Sequence, residues 1–264
     1  MNSLVILIVA ANAGFQAVPT DSLVADTIKP EPSKFVQETP RVMAERNPAL
    51  NDELRGDIMM ARKLYRDAID FYKPTASKNP VMANKTGIAY HQMGDLENAK
   101  KYYERAIKLN NKYPEAYNNL GTVYYARKSY GSAIKNYEKA LVLTPDTASV
   151  WTNLGTAYFG RKKYVEALQA YQHALQLDPD IFERRGTNGV MLQERSVEEK
   201  AMFYYTLAKS YAQAGDTERM LRCMRFALEW GFKDRTLFVE EKVFAAYQDD
   251  EEFKEVLAME PKVL

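Results

Sequence analysis

The chain has 264 residues, with 36 Lys or Arg against 35 Asp or Glu and a net charge of +1. That balance argues against a nucleic-acid binder, which carries a basic excess toward phosphate. Cys223 is the single cysteine, which excludes an intrachain disulfide and a cysteine-based metal site, and a hydrophobic share of 46% describes a globular chain.

The first feature in chain order is the apolar run LVILIVAA, Leu4 to Ala11. It is too short to span a bilayer. It resembles the core of a secretory signal, with a small-x-small cleavage pattern at Ala11-Asn12-Ala13, although the usual basic flank is missing. The expectation is a signal peptide over 1–17 and an exported mature chain, periplasmic or secreted, with no membrane insertion; cytoplasmic residence is the alternative. Residues 18–48 hold Pro19, Pro30, Pro32, Pro40 and Pro48 among polar side chains, which predicts a flexible linker.

Residues 49–234 repeat themselves. Tyr117 and Trp151 stand 34 residues apart, and so do Leu120/Leu154, Gly121/Gly155, Tyr124/Tyr158, Ala133/Ala167, Tyr137/Tyr171, Ala140/Ala174 and Pro145/Pro179. One period earlier come Gly87, Tyr90, Ala99, Tyr103 and Ala106, with Thr86 in the leucine place and Asn111 in the proline place. Leu120 and Tyr124 share one helix face. Gly121 and Ala140 allow a close helix approach, Tyr137 fills the space toward the neighbouring unit, and a proline ends the second helix. The unit is a helical hairpin, about Pro114–Ala126 then Tyr130–Leu143, which buries its apolar stripe only by stacking on neighbours.

This pattern is similar to the tetratricopeptide repeat signature, W-x2-L-G-x2-Y…A-x3-F…P. The resemblance implies an all-α fold, a right-handed superhelical solenoid of helix-turn-helix units. The units are expected at about 49–79, 80–113, 114–147, 148–181 and 201–234, with an insert at 182–200. The first is three residues short, and Pro74 should end its second helix early. In the fifth, Met220 and Met224 replace an alanine and an aromatic. Residues 235–264 are expected as two short capping helices. The insert holds Gly186-Thr187-Asn188-Gly189, which is turn chemistry without the Gly-Lys-Ser/Thr ending of a phosphate loop. Its Val190, Met191 and Leu192 are expected to pack back on the stack, and Glu183, Arg184, Arg185, Glu194 and Arg195 to form ion pairs that fix the loop, with ligand binding as the alternative. Insert and repeats together resemble exported bacterial proteins of this family, of undefined activity, seen notably in Acidobacteria.

In this family the first helix of each unit lines the concave groove. The residue before each Leu-Gly pair is then a groove residue: Asn119 and Asn153, with Lys85 and Thr206 in the flanking units. Around these fall Asn84, Asn118 and Thr152, then Ile88, Thr122, Thr156 and Lys209, then His91, Tyr125 and Phe159. An asparagine amide both donates and accepts, so a row of them at this interval would track an extended peptide backbone. Tyr125 and Phe159 would add apolar contact. The expected peptide-binding groove is Asn84, Lys85, Asn118, Asn119, Thr122, Tyr125, Asn153, Thr156 and Phe159. The competing reading is that these residues only support the fold. Some relatives clamp a terminal carboxylate; Lys85 and Asn119 match that clamp in kind, but Ile88, Glu115, Ser149 and Thr152 do not.

No Ser/His/Asp or Cys/His constellation appears, and His91 and His173 are far apart in sequence. The sequence therefore predicts a non-enzymatic scaffold with no cofactor and no metal, whose partner is a peptide or a partner helix. The alternative is a structural component of an envelope or secretion assembly, docked through its outer face.

Overall fold

The structure, a computed structural model, describes residues 50–183 and 196–260. The expected signal peptide and linker, and the insert's turn, apolar triplet and charged residues from Arg184 to Arg195, lie outside the described residues. Every described element is helical. Five helix pairs follow one another: α1 (Asp52–Ala61) with α2 (Tyr65–Tyr72), α3 (Pro80–Gln92) with α4 (Leu96–Leu109), α5 (Pro114–Ala126) with α6 (Tyr130–Leu143), α7 (Ala148–Gly160) with α8 (Tyr164–Leu177), and α9 (Val197–Ala214) with α10 (Thr217–Glu229). Each second helix packs against the first helix of the next pair, and α3, α5 and α7 also touch in succession. The fold is an all-α repeat solenoid.

Local chemistry sets the helix ends. Pro80 and Pro114 sit in the first turn, where a missing N–H costs nothing. Asp95 and Asp216 cap α4 and α10, and Ser196 with Glu199 forms a capping box on α9. Helix α2 stops at Tyr72, two residues before Pro74, and is eight residues long where α4, α6 and α8 have fourteen. Between the helices of each pair one residue is left-handed: Lys63, Gly94, Lys128, Lys162 and Gly215, with φ between 58° and 77°. Three of the five units spend a lysine on a conformation that suits glycine.

Inside the hairpins a glycine on the first helix receives a tyrosine ring from the second. A Cβ added to Gly121 would stand 2.5 Å from Cε1 of Tyr137, and one on Gly87 2.6 Å from Cε1 of Tyr103. Gly56 with Tyr72 and Gly155 with Tyr171 repeat the arrangement. Tyr137 thus fills its own hairpin first, while its cluster extends to Val150 and Leu154 of the next unit. In the fifth unit the equivalent positions are Ala208 and Met224, both fully buried. The alanine Cβ leaves no room for a rigid ring, and the unbranched methionine adapts to what remains.

The fourth and fifth units meet differently. Phe203 of α9 stands edge-on to Phe159 at 5.8 Å and to Tyr171 at 6.0 Å. Phe182, just past α8, stands edge-on to Tyr171 at 5.4 Å and to Tyr211 at 6.4 Å. Glu183 accepts from Arg222 at 2.7 Å, and Arg219 reaches Asp180 and Asp216. The insert's departure from α8 is therefore pinned to α10.

The C-terminal cap has three short pieces where two were expected: α11 (Leu237–Glu240), a 3-10 turn over Lys242–Tyr247 and α12 (Glu251–Ala258). The extended backbone of Glu241 divides the first two. Phe238, Phe244 and Phe253 are buried, and Gln248 donates to the Phe238 and Phe244 carbonyls. Asp250 caps α12 with Glu251 and Glu252 in its first turn, and Arg235 closes its far end by donating to the Leu257 and Met259 carbonyls.

Candidate functional site

The expected groove residues lie on the first helices, and the structure links them to one another. In each unit the residue before the Leu-Gly place leads, and the residue before it trails. Asn119 Nδ2 donates to Asn84 Oδ1 at 3.0 Å, and Asn153 Nδ2 donates to Asn118 Oδ1 at 2.9 Å. The leading amide of one unit thus bonds the trailing amide of the unit before it. Two such rungs run from α3 to α5 and from α5 to α7.

Charged rungs stand at both ends. Lys85 leads the second unit and reaches back to Glu53 at 2.8 Å and Asp57 at 2.7 Å. Tyr72 also donates to Asp57 at 2.6 Å. Burial pulls the Lys85 ammonium down, but its bonds to Asp57 and Glu53 outweigh that and hold it above the ordinary lysine value. At the far end Glu241 of the cap accepts from Tyr205 at 2.6 Å and pairs with Lys209. Tyr205 and Lys209 occupy the trailing position and the one a turn later, where Glu53 and Asp57 stand in the first unit. The cap thus imitates the leading residue of a further unit, with the charges exchanged. Burial, reinforced by the carboxylate each one meets, raises the Tyr72 and Tyr205 phenols, so both remain donors.

Only the junction of the fourth and fifth units lacks a rung among the described residues. Thr152 trails and Thr206 leads there, and each hydroxyl donates to its own helix, to the Ala148 and Met202 carbonyls. A threonine side chain is too short to prefer the neighbour over the carbonyl one turn back.

Three expected groove residues are buried, which corrects their assignment to ligand contact. Asn84 accepts from Asn119 and faces Tyr113 at 3.4 Å. Thr156 is bonded to the Thr152 carbonyl at 2.8 Å and lies under Tyr171. Phe159 is 3% exposed because Phe203 and Tyr164 cover it. Lys85, Asn118, Asn119, Thr122, Tyr125 and Asn153 remain partly exposed. Tyr125 leans on Tyr130 at 5.4 Å, and Thr122 donates to the Asn118 carbonyl at 3.1 Å. Asn119 and Asn153 each give one N–H to a rung, and their Oδ1 atoms have no partner among the described residues. Sequence reasoning missed Glu53, Asp57, Tyr205 and Glu241. The first two were legible: spaced four apart on one helix face, they align with Asn84 and Ile88 once the short first unit is registered on Gly56 and Gly87.

Elsewhere, Cys223 is buried and burial pushes its thiol up to about 12, which leaves it unreactive. Among the described residues, no group of three or more His, Cys, Asp or Glu is placed to hold a metal ion, and no helix is long and apolar enough to cross a membrane.

Family models for tetratricopeptide repeats match residues 87–127 and 112–180. These matches identify residues 87–180 as tetratricopeptide repeats. Comparison with curated proteins gives no match. Similar solved structures include the MamA protein, 26% identical over 51% of this chain and 75% of that one, with a TM-score of 0.46. MamA from Desulfovibrio magneticus RS-1 is 18% identical over 75% of this chain and 98% of that one, with a TM-score of 0.49. YrrB, a TPR protein with an unusual peptide-binding site, is 17% identical over 75% of this chain and 94% of that one, with a TM-score of 0.48.

Proposed function

We propose that this tetratricopeptide repeat protein is a non-enzymatic interaction scaffold that holds an extended segment of a protein partner against the first helices of its second to fourth units. One observation carries the reading: Asn119 and Asn153 are fixed by one N–H each while their partly exposed Oδ1 atoms keep acceptor capacity at the repeat interval. An amide fixed at its donor holds its acceptor in one direction, and such preorganisation lowers the cost of binding. Tyr125 supplies a half-buried ring beside them. The apolar run from Leu4 to Ala11 supports export, so the partner is sought outside the cytoplasm.

A photo-crosslinking residue placed at Tyr125 in living cells tests this. An adduct at Tyr125 and none at Val142, on the outer face, is expected. The reverse result would favour the second reading, docking through the outer face. That reading has its own support in a cleft of about 690 Å3 between α6 and α8, floored by Trp151 stacked on His173 at 4.6 Å and edged by Val142, which is 83% exposed. Burial and the hydrogen bond to Glu138 push Tyr158 up to about 12 there, so it stays a donor at the cleft wall.

A further inference from the structure

We infer that the groove takes an internal, uncharged, extended stretch of polypeptide, and not a chain terminus or a charged tail; this rests on the groove reading above. Among the described residues, the positions that face the groove bring it two cationic side chains, Lys85 and Lys209, and the imidazole of His91. Neither lysine is free. Lys85 is held by Glu53 and Asp57, and Lys209 by Glu241. Capture of a terminal carboxylate needs an ammonium or guanidinium with donors to spare. Here two carboxylates meet one ammonium at the first end, so the charge left over is negative and opposes a carboxylate.

Between the charged ends the rungs are neutral amides. Each leaves a carbonyl oxygen that suits a backbone N–H and asks nothing of the side chain beside it. His91 adds no charge at neutral pH, because burial lowers its pKa below the ordinary value.

The cap sets the length. Glu241 sits on Tyr205 and Lys209, and Tyr247 donates to the Ala212 carbonyl at 3.0 Å. The groove positions of α9 are therefore occupied by the chain's own residues. Phe159 lies beneath Phe203. What stays open runs across α3, α5 and α7. Neighbouring helix axes lie about 8–10 Å apart, so the outer two are about 16–20 Å apart. At about 3.3 Å per extended residue, five or six residues (roughly) cross that span.

The full chain can be panned against two displayed libraries of random short peptides, one flanked by linkers on both sides and one ending in a free carboxylate. Enrichment from the flanked library is expected, poor in Asp, Glu, Lys and Arg. Affinity for the enriched peptides should fall about tenfold in Asn119→Ala/Asn153→Ala. Tyr125→Ala, at a partly exposed ring, should weaken the same peptides and guards against a fold defect in the double variant. Enrichment confined to free carboxylates or to charged peptides, lost in the same variants, would overturn this inference and leave the groove reading standing. No enrichment, or enrichment indifferent to all the variants, would overturn both.

Discussion

The second to fourth units and the fifth unit are built from the same hairpin but are held in different ways. The earlier units use glycine under tyrosine inside each hairpin and an amide rung between hairpins. The fifth uses alanine with methionine inside, edge-on aromatics at its junction and a carboxylate from the cap in place of a following unit. A solenoid needs each interface filled, not each interface filled alike. The regular part leaves polar groups partly exposed along one face; the irregular part covers that face with its own chain.

The largest expected effect comes from moving one solution into the other region. Gly121→Ala drives a methyl group into the Tyr137 ring and should cost about 1–3 kcal/mol in urea unfolding. Tyr137→Met in the same chain should recover part of that, since it copies the fifth unit. Two independent, additive losses would show that the glycine and the tyrosine are not a matched pair.

Next in size is the cap. Glu241→Ala removes the acceptor of Tyr205 and the partner of Lys209, at a cost of about 1–2 kcal/mol. Hydrogen exchange should speed up in Leu237–Glu240 and Glu251–Ala258 while α3 to α6 stay protected. Loss spread evenly over all units would break the distinction between cap and stack.

A gain of up to about 1 kcal/mol is expected from Lys128→Gly, which relieves a left-handed lysine in a regular unit. Lys162→Gly should behave alike, and thermal unfolding reads both.

The smallest effect is electrostatic. Burial lowers the His91 pKa from the ordinary value of 6.5. The unfolded chain then binds the proton more readily, so the contribution of His91 is present above pH 6.5 and is lost as pH falls through the lowered value. Replacing it, as in His91→Gln, should flatten the acid side of the melting-temperature profile by a small amount.

Much of the fold was legible because repetition reports on itself. Leu120, Gly121, Tyr124, Tyr137 and Pro145 recur at 34 residues, and each recurrence fixes a helix face, a close approach or a stop. The site was legible only in part. Spacing puts the asparagines on one face, but it does not tell whether an amide faces solvent or the next unit. The rungs depend on the leading residue of one unit meeting the trailing residue of another, a pairing 35 residues apart that no single repeat displays. Phe159 looked like a groove residue by alignment with Tyr125; it is buried because Phe203 follows the insert and covers it. Glu241 lies outside the repeat pattern, so periodicity gave no sign of it.

Asn119 and Asn153 brace unit to unit through their amides. Double-mutant cycles in urea test this most directly, with Asn118→Ala against Asn153→Ala and, one unit later, Thr152→Ala against Thr206→Ala. A coupling of about 0.5–1.5 kcal/mol is expected for the asparagines and close to none for the threonines. Equal coupling at the two junctions, or none between Asn118 and Asn153, would contradict it.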